Sequence, residues 1–141
     1  MIIRRADEET EANVPPSAEL FDAMAKYNEE LVKAGVMLDG AGLQPSSKGA
    51  KVRFGRGKPT VIDGPFAEAK ELIAGYSMIE VGSLADAIEW VRKWPKADGG
   101  GNVSIEIRQV AGPDDFGDEF SPELREQERD LLAKLRDNPP N

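Results

Sequence analysis

The sequence predicts an α+β fold in which strands and helices follow the order βαββαβ. Three observations carry this. Segments 18–34 and 84–94 space apolar residues three or four apart among charged ones, as amphipathic helices do. Short runs rich in Ile, Val, Met and Tyr flank them near 1–6, 36–38, 76–81 and 103–110. Pro and Gly punctuate the joints at Pro15-Pro16, Gly35, Asp63-Gly64-Pro65 and Pro95.

Taken in order, residues 1–6 read as a short strand and 7–16 as a polar loop. Ser17 is a helix N-cap, and Leu20, Met24, Tyr27 and Leu31 form the apolar stripe that follows, with Phe21, Asn28 and Val32 beside it. Gly35 ends that helix, because glycine accepts the left-handed backbone of a C-terminal cap. Val36-Met37-Leu38 starts the second strand. Gly40, Gly42 and Pro45 then break its regularity. Strands near 50–54 and 59–62 form an inserted hairpin around Gly55-Arg56-Gly57, and Asp63-Gly64-Pro65 is a strong turn. Residues 67–73 are good helix formers but span only two turns. A mostly buried strand covers 76–81. Ser83 caps a helix over 84–94, with Asp86 completing a variant capping box and Leu84, Ile88 and Val91 facing inward. Asp98 to Asn102 is expected to be a flexible loop, and Val103, Ile105, Ile107 and Val110 mark a final strand. Residues 112–120 read as a linker. Ser121-Pro122-Glu123 starts a last helix running to about Arg136, with Leu124, Leu131, Leu132 and Leu135 on one side, and 138–141 are expected to fray. This order suggests a ferredoxin-like sandwich. Its helices would cover one sheet face, and the open face would recruit a second subunit.

Composition narrows the chemistry. The chain has 141 residues, with no cysteine and no histidine. Disulfide frameworks, thiolate nucleophiles, zinc ribbons, Ser-His-Asp triads and histidine bases are therefore excluded. Proton chemistry would have to use carboxylates, lysine or tyrosine. No metal site and no cofactor is expected. The net charge of −8 argues against nucleic-acid binding, since an acidic chain repels phosphates. No apolar run approaches a membrane span, and the N-terminus does not read as a signal peptide, so a cytoplasmic location is expected. The charge is uneven. Residues 113–141 hold nine acids and four bases, whereas 48–58 hold Lys48, Lys51, Arg53, Arg56 and Lys58 without an acid. That basic run is either a solvated hairpin or a patch for an anionic ligand or acidic partner.

The stretch Thr60-Val61-Ile62-Asp63-Gly64-Pro65-Phe66-Ala67-Glu68-Ala69-Lys70-Glu71 resembles the DGPF branch of the YCII-related proteins. Gly42-Leu43-Gln44-Pro45-Ser46, Gly75-Tyr76 and Ala87-Ile88-Glu89-Trp90 fit the same pattern. The resemblance covers nearly the whole chain. It implies a dimeric α–β barrel in which two subunits pack sheet to sheet, with a family domain at 1–111 and an acidic linker and C-terminal helix at 112–141. It also implies a pocket beside the sheet served by an Asp and a His. Asp63 corresponds to the acid. The histidine has no counterpart, because Gln44 stands where many relatives carry it. Glutamine can donate and accept hydrogen bonds but cannot shuttle a proton.

The candidate catalytic residue is thus Asp63, as a general base or polar anchor, or alternatively as a simple turn cap. Candidate ligand-binding residues are Gln44, Ser46, Phe66, Glu68, Lys70 and Tyr76. Each also has a structural reading as loop, core or solvated face. Two functions compete. One is a homodimer with a small-molecule pocket near Asp63. The other is a non-enzymatic interaction module linked to an extracytoplasmic-function sigma factor, beside which some relatives of this type occur.

Overall fold

Alternation along the first strand sets the architecture. In the computed structural model, which describes residues 1–138, Ile2 and Arg4 of β1 (Ile2–Arg5) are buried while Ile3 and Arg5 are half-buried on the opposite face. Helix α2 (Ala18–Lys33) buries Tyr27 and Leu31, and α3 (Leu84–Val91) buries Ala87. β2 (Met37–Gly42), β5 (Ile73–Ile79) and β6 (Ile105–Ile107) complete a sheet of order β2-β5-β1-β6, with every neighbouring pair antiparallel. Strand β5 lies between β1 and β2, which α2 connects. This is the split βαβ arrangement of a ferredoxin-like fold. Strands β3 (Ala50–Arg53) and β4 (Thr60–Asp63) form a separate two-stranded hairpin inserted between β2 and β5.

Residues from Met1 to Arg108 make one compact unit, and a second unit begins at Gln109. In the second, Ser121 caps α4 (Pro122–Asp137) by accepting the Leu124 N–H. Arg125 pairs with Asp114 at 3.0 Å, and Phe116 meets Phe120 edge to face. Leu124, Leu131, Leu132 and Leu135 are all exposed. Of residues 138–141, which are expected to fray, 139–141 lie outside the described residues.

Local signals explain most boundaries. The Ser17 hydroxyl accepts the Leu20 N–H at 3.1 Å, and Gly35 takes φ 71° where α2 stops. The Tyr27 ring meets Trp94 edge to face at 5.4 Å and its hydroxyl donates to the Trp90 carbonyl. Burial, with a smaller push from Glu30, moves the Tyr27 phenol up to about 12, so it stays a neutral donor.

Several expectations are corrected. Residues 7–16 are not wholly loop, because Asp7 and Thr10 exchange side chain-to-backbone hydrogen bonds and cap a one-turn helix, α1 (Glu8–Glu11). Strand β5 starts at Ile73, three residues earlier than expected, once a short 3₁₀ turn at Ala69–Glu71 ends. α3 is shorter than predicted and turns Ala87 inward, leaving Leu84 64% exposed. The carboxylate of Asp86 accepts from the Ser83 hydroxyl at 2.7 Å, while the Asp86 N–H donates back to that hydroxyl. The final strand covers only Ile105–Ile107. Asp98–Gly101 forms a tight turn whose first residue, Asp98, is buried.

Candidate functional site

A cavity of about 310 Å³ lies between α2 and the sheet. Its origin is legible in side-chain size. On the helix-facing side of the sheet, Gly40 pairs with Ser77 and Gly42 pairs with Gly75. Four small residues leave the floor low. A Cβ placed on Gly42 would meet nothing within 4 Å. Leu20, Met24 and Asn28 of α2 form the roof, with Met37 and Trp94 among the remaining walls. Close packing would normally fill such a space, since interiors approach crystal density. Among the described residues, Ile2, Ala6, Tyr27, Leu31 and Ala87 are buried, and so is Pro45.

The polar wall is a charge network on Arg4. The guanidinium grips the Asp98 carboxylate through two bonds, Nε to Oδ2 at 3.0 Å and Nη2 to Oδ1 at 2.7 Å. Nη2 also pairs with Asp7 at 2.8 Å, and Nη1 donates to the Arg5 carbonyl. Trp94 Nε1 donates to Asp98 Oδ2 at 2.9 Å. The side chains of Arg4 and Asp98 are about nine-tenths buried. The Asp98 bond and the weaker Asp7 bond outweigh burial and hold the Arg4 pKa above its ordinary value. Burial raises Asp7, but the Thr10 N–H and the Arg4 guanidinium together leave it below the ordinary carboxylate value. The guanidinium is therefore already neutralised by two carboxylates. Asn28 is a further polar residue on the wall, and its Oδ1 is buried without a hydrogen-bond partner. A second, wider depression of about 650 Å³ adjoins the same network and shares Arg4, Thr10, Leu20 and Asp98 with the first.

Tyr76 is the sequence candidate that this cavity touches. Its neighbours Gly75 and Ser77 are the buried positions of β5, so strand alternation turns the Tyr76 ring to the opposite face. There its hydroxyl donates to Asp39 at 3.2 Å. Asp63 is exposed at the end of β4, opposite Ala50. Gln44 and Glu68 are exposed, and Glu68 holds a left-handed backbone with φ 61°. Lys70 is exposed, and its carbonyl accepts from Arg5. Ser46 and Phe66 come together in a different way. The Ser46 hydroxyl donates to Glu11 and accepts the Phe66 N–H at 3.0 Å, while the Ser46 N–H donates to Glu11 at 3.0 Å. The Lys51 ammonium stands 4.4 Å above the Phe66 ring. The Gly64–Pro65 bond before it is cis. This cluster ties the base of the hairpin to α1.

Sequence reasoning did not single out Arg4, Asn28, Trp94 or Asp98 as site residues. One signal was available. Arg4 follows Ile2 at the strand period, so any burial of that face had to bury a charge and demand a partner. Among the described residues no cluster of carboxylates could hold a metal ion, and no helix is long and apolar enough to cross a membrane.

A ferredoxin-like unit that keeps an open space between helix and sheet defines the class of protein. Within that class, residues 1–111 match the YCII-related domain model, and the chain belongs to that family. It is 33% identical over 88 residues to an uncharacterised protein of Rhizobium meliloti (strain 1021), a span covering 62% of this chain and 70% of that protein.

Proposed function

We propose that the protein binds a small, neutral, largely apolar molecule in the cavity beneath α2. The observation that carries this is the glycine floor of Gly40, Gly42 and Gly75 facing a roof of Leu20, Met24 and Asn28. The volume sits at the low end of ligand cavities, which start near ~300 Å³. Neutrality follows from the network. Arg4 is matched by Asp98 and Asp7, so an entering carboxylate or phosphate would find no free cation and a carboxylate nearby. Asn28 supplies the polar contact that orients the guest. Asp63 is exposed and belongs to the hairpin, so this reading assigns it no proton transfer.

Benzyl alcohol is a suitable probe. It is expected to raise the thermal midpoint of the wild-type protein, whereas benzoate is not. Gly42→Val fills the floor with a residue that suits a strand and meets no neighbour at its Cβ. The variant is expected to fold and to lose the benzyl alcohol response. A response retained in Gly42→Val, or one equally large for benzoate, rejects this reading.

The same proposal includes a homodimer. No helix of residues 1–108 covers the sheet face that carries Ile3, Tyr76 and Met78, and unpaired apolar sheet faces recruit partners. Light scattering at micromolar concentration is expected to give twice the chain mass. A monomer would exclude the dimer without touching the cavity assignment. A second reading, an interaction module acting on a sigma factor, is favoured by the basic hairpin. Binding of a purified sigma factor that survives reversal of the Arg53 and Arg56 charges would remove that support.

A further inference from the structure

The hairpin and the start of the second unit carry surfaces of opposite charge. Along β3–β4, Val52 stands opposite Val61 on one face, while Lys51 and Arg53 point to the other. Arg56 and Lys58 occupy the tip. Phe54 is 78% exposed, and Val52 and Val61 are exposed with it. Among the described residues, none of Lys48, Lys51, Arg53, Arg56 and Lys58 takes part in an ion pair. Lys51 sits over the Phe66 ring, and the other four cations surround an exposed aromatic on a chain of net charge −8.

Residues 113–120 carry the opposite pattern. Asp114, Asp115, Asp118 and Glu119 are interleaved with Phe116 and Phe120, with no base in the stretch. Phe116 is 52% exposed, and neither Asp118 nor Glu119 has an ion-pair partner among the described residues. Asp114 is held by Arg125 and Asp115 by the Gly112 N–H, so Asp118, Glu119 and the exposed Phe116 ring are the groups that complement the cationic hairpin in charge and kind.

We propose that the hairpin of one copy receives residues 113–120 of a second copy, with the Phe116 ring on the Val52, Phe54 and Val61 face and the Asp118 and Glu119 carboxylates on the cations around the tip. Each pair alone is worth little at the surface. Several opposed charges around two aromatics desolvated together supply register and selectivity. This contact is independent of the cavity assignment and uses a surface other than the sheet face.

The full-length protein tests it directly. Equal amounts of ¹⁴N- and ¹⁵N-labelled protein are mixed and treated with a carbodiimide, which joins a lysine ammonium to a carboxylate in direct contact. Joined peptides linking Lys48, Lys51 or Lys58 to Asp118 or Glu119 are expected, about half of them pairing heavy with light, as random mixing requires. Arg53→Glu with Arg56→Glu keeps all three lysines and is expected to cut the heavy–light yield about tenfold. Raising salt from about 50 mM to about 500 mM does the same. The circular dichroism of the variant checks that it folds. Pairs of one isotope only would mean that the segment reaches the hairpin of its own chain. Those pairs, the absence of joined peptides, or mixed pairs insensitive to both charge and salt each overturn the proposal.

Discussion

Replacing Arg4 by methionine is expected to lower the unfolding free energy by about 3–5 kcal/mol, because it strands a buried carboxylate. Methionine roughly keeps the volume of the side-chain stem but removes every donor. Asp98 then retains only the Trp94 indole N–H, in a site that leaves its side chain 9% exposed. Asp7 loses its cation as well. Urea unfolding midpoints measure the loss. The double variant Arg4→Met with Asp98→Leu is expected to recover much of it, since an apolar pair can replace a buried ion pair at little cost. A single variant as stable as the wild type would mean that the network does not hold the sheet to the turn after Ala97. Acid sensitivity follows the same groups. Asp7 titrates below its ordinary 3.8 in the folded state, so it contributes stability above that pH. The contribution disappears as pH falls through the depressed folded value, and it is absent from Arg4→Met to the extent that Arg4 sets the shift.

Gly64→Ala is the second large effect. A Cβ at this position would stand 1.7 Å from the Ser46 carbonyl oxygen and 2.6 Å from its carbon. Both are backbone atoms, so no rotamer change relieves the overlap. Ser46 is itself fixed by Glu11 and the Phe66 N–H. The whole contact must open, and overpacking of this kind costs about 1–3 kcal/mol. The expected signature is local. Hydrogen exchange should accelerate at the amides of Ser46 and Phe66 while those of β1 and β5 keep their protection. Unchanged exchange at Phe66 would show that the close approach is not needed.

The sandwich was legible because both limits of α2 and the starts of α3 and α4 carry local signals. Ser17, Gly35, Ser83 and Ser121 act at their sites through short-range capping, which depends on few neighbours. The Asp63-Gly64-Pro65-Phe66 motif was legible as a motif, and its glycine does serve a close backbone approach. The cavity was not legible, for three physical reasons. Its floor comes from glycines that read locally as strand breakers at 40 and 42, and only cross-strand register places them against Gly75 and Ser77. Its charge network joins residues 94 positions apart, which no periodicity reveals. The turn after Asp98 looked flexible because glycines are permissive, but three hydrogen bonds to the Asp98 carboxylate anchor it. α1 was missed because a one-turn helix has no apolar period, only the reciprocal Asp7–Thr10 cap.

The cavity assignment is tested most directly by amide and indole chemical-shift mapping of the ¹⁵N-labelled protein titrated with benzyl alcohol. The expected result is saturable shifts at Asn28, Gly40, Gly42, Gly75, Ser77 and the Trp94 indole, with Asp63 and Glu68 unmoved. Shifts centred on Asp63, Gly64 and Phe66, or no saturable shift at all, would contradict it.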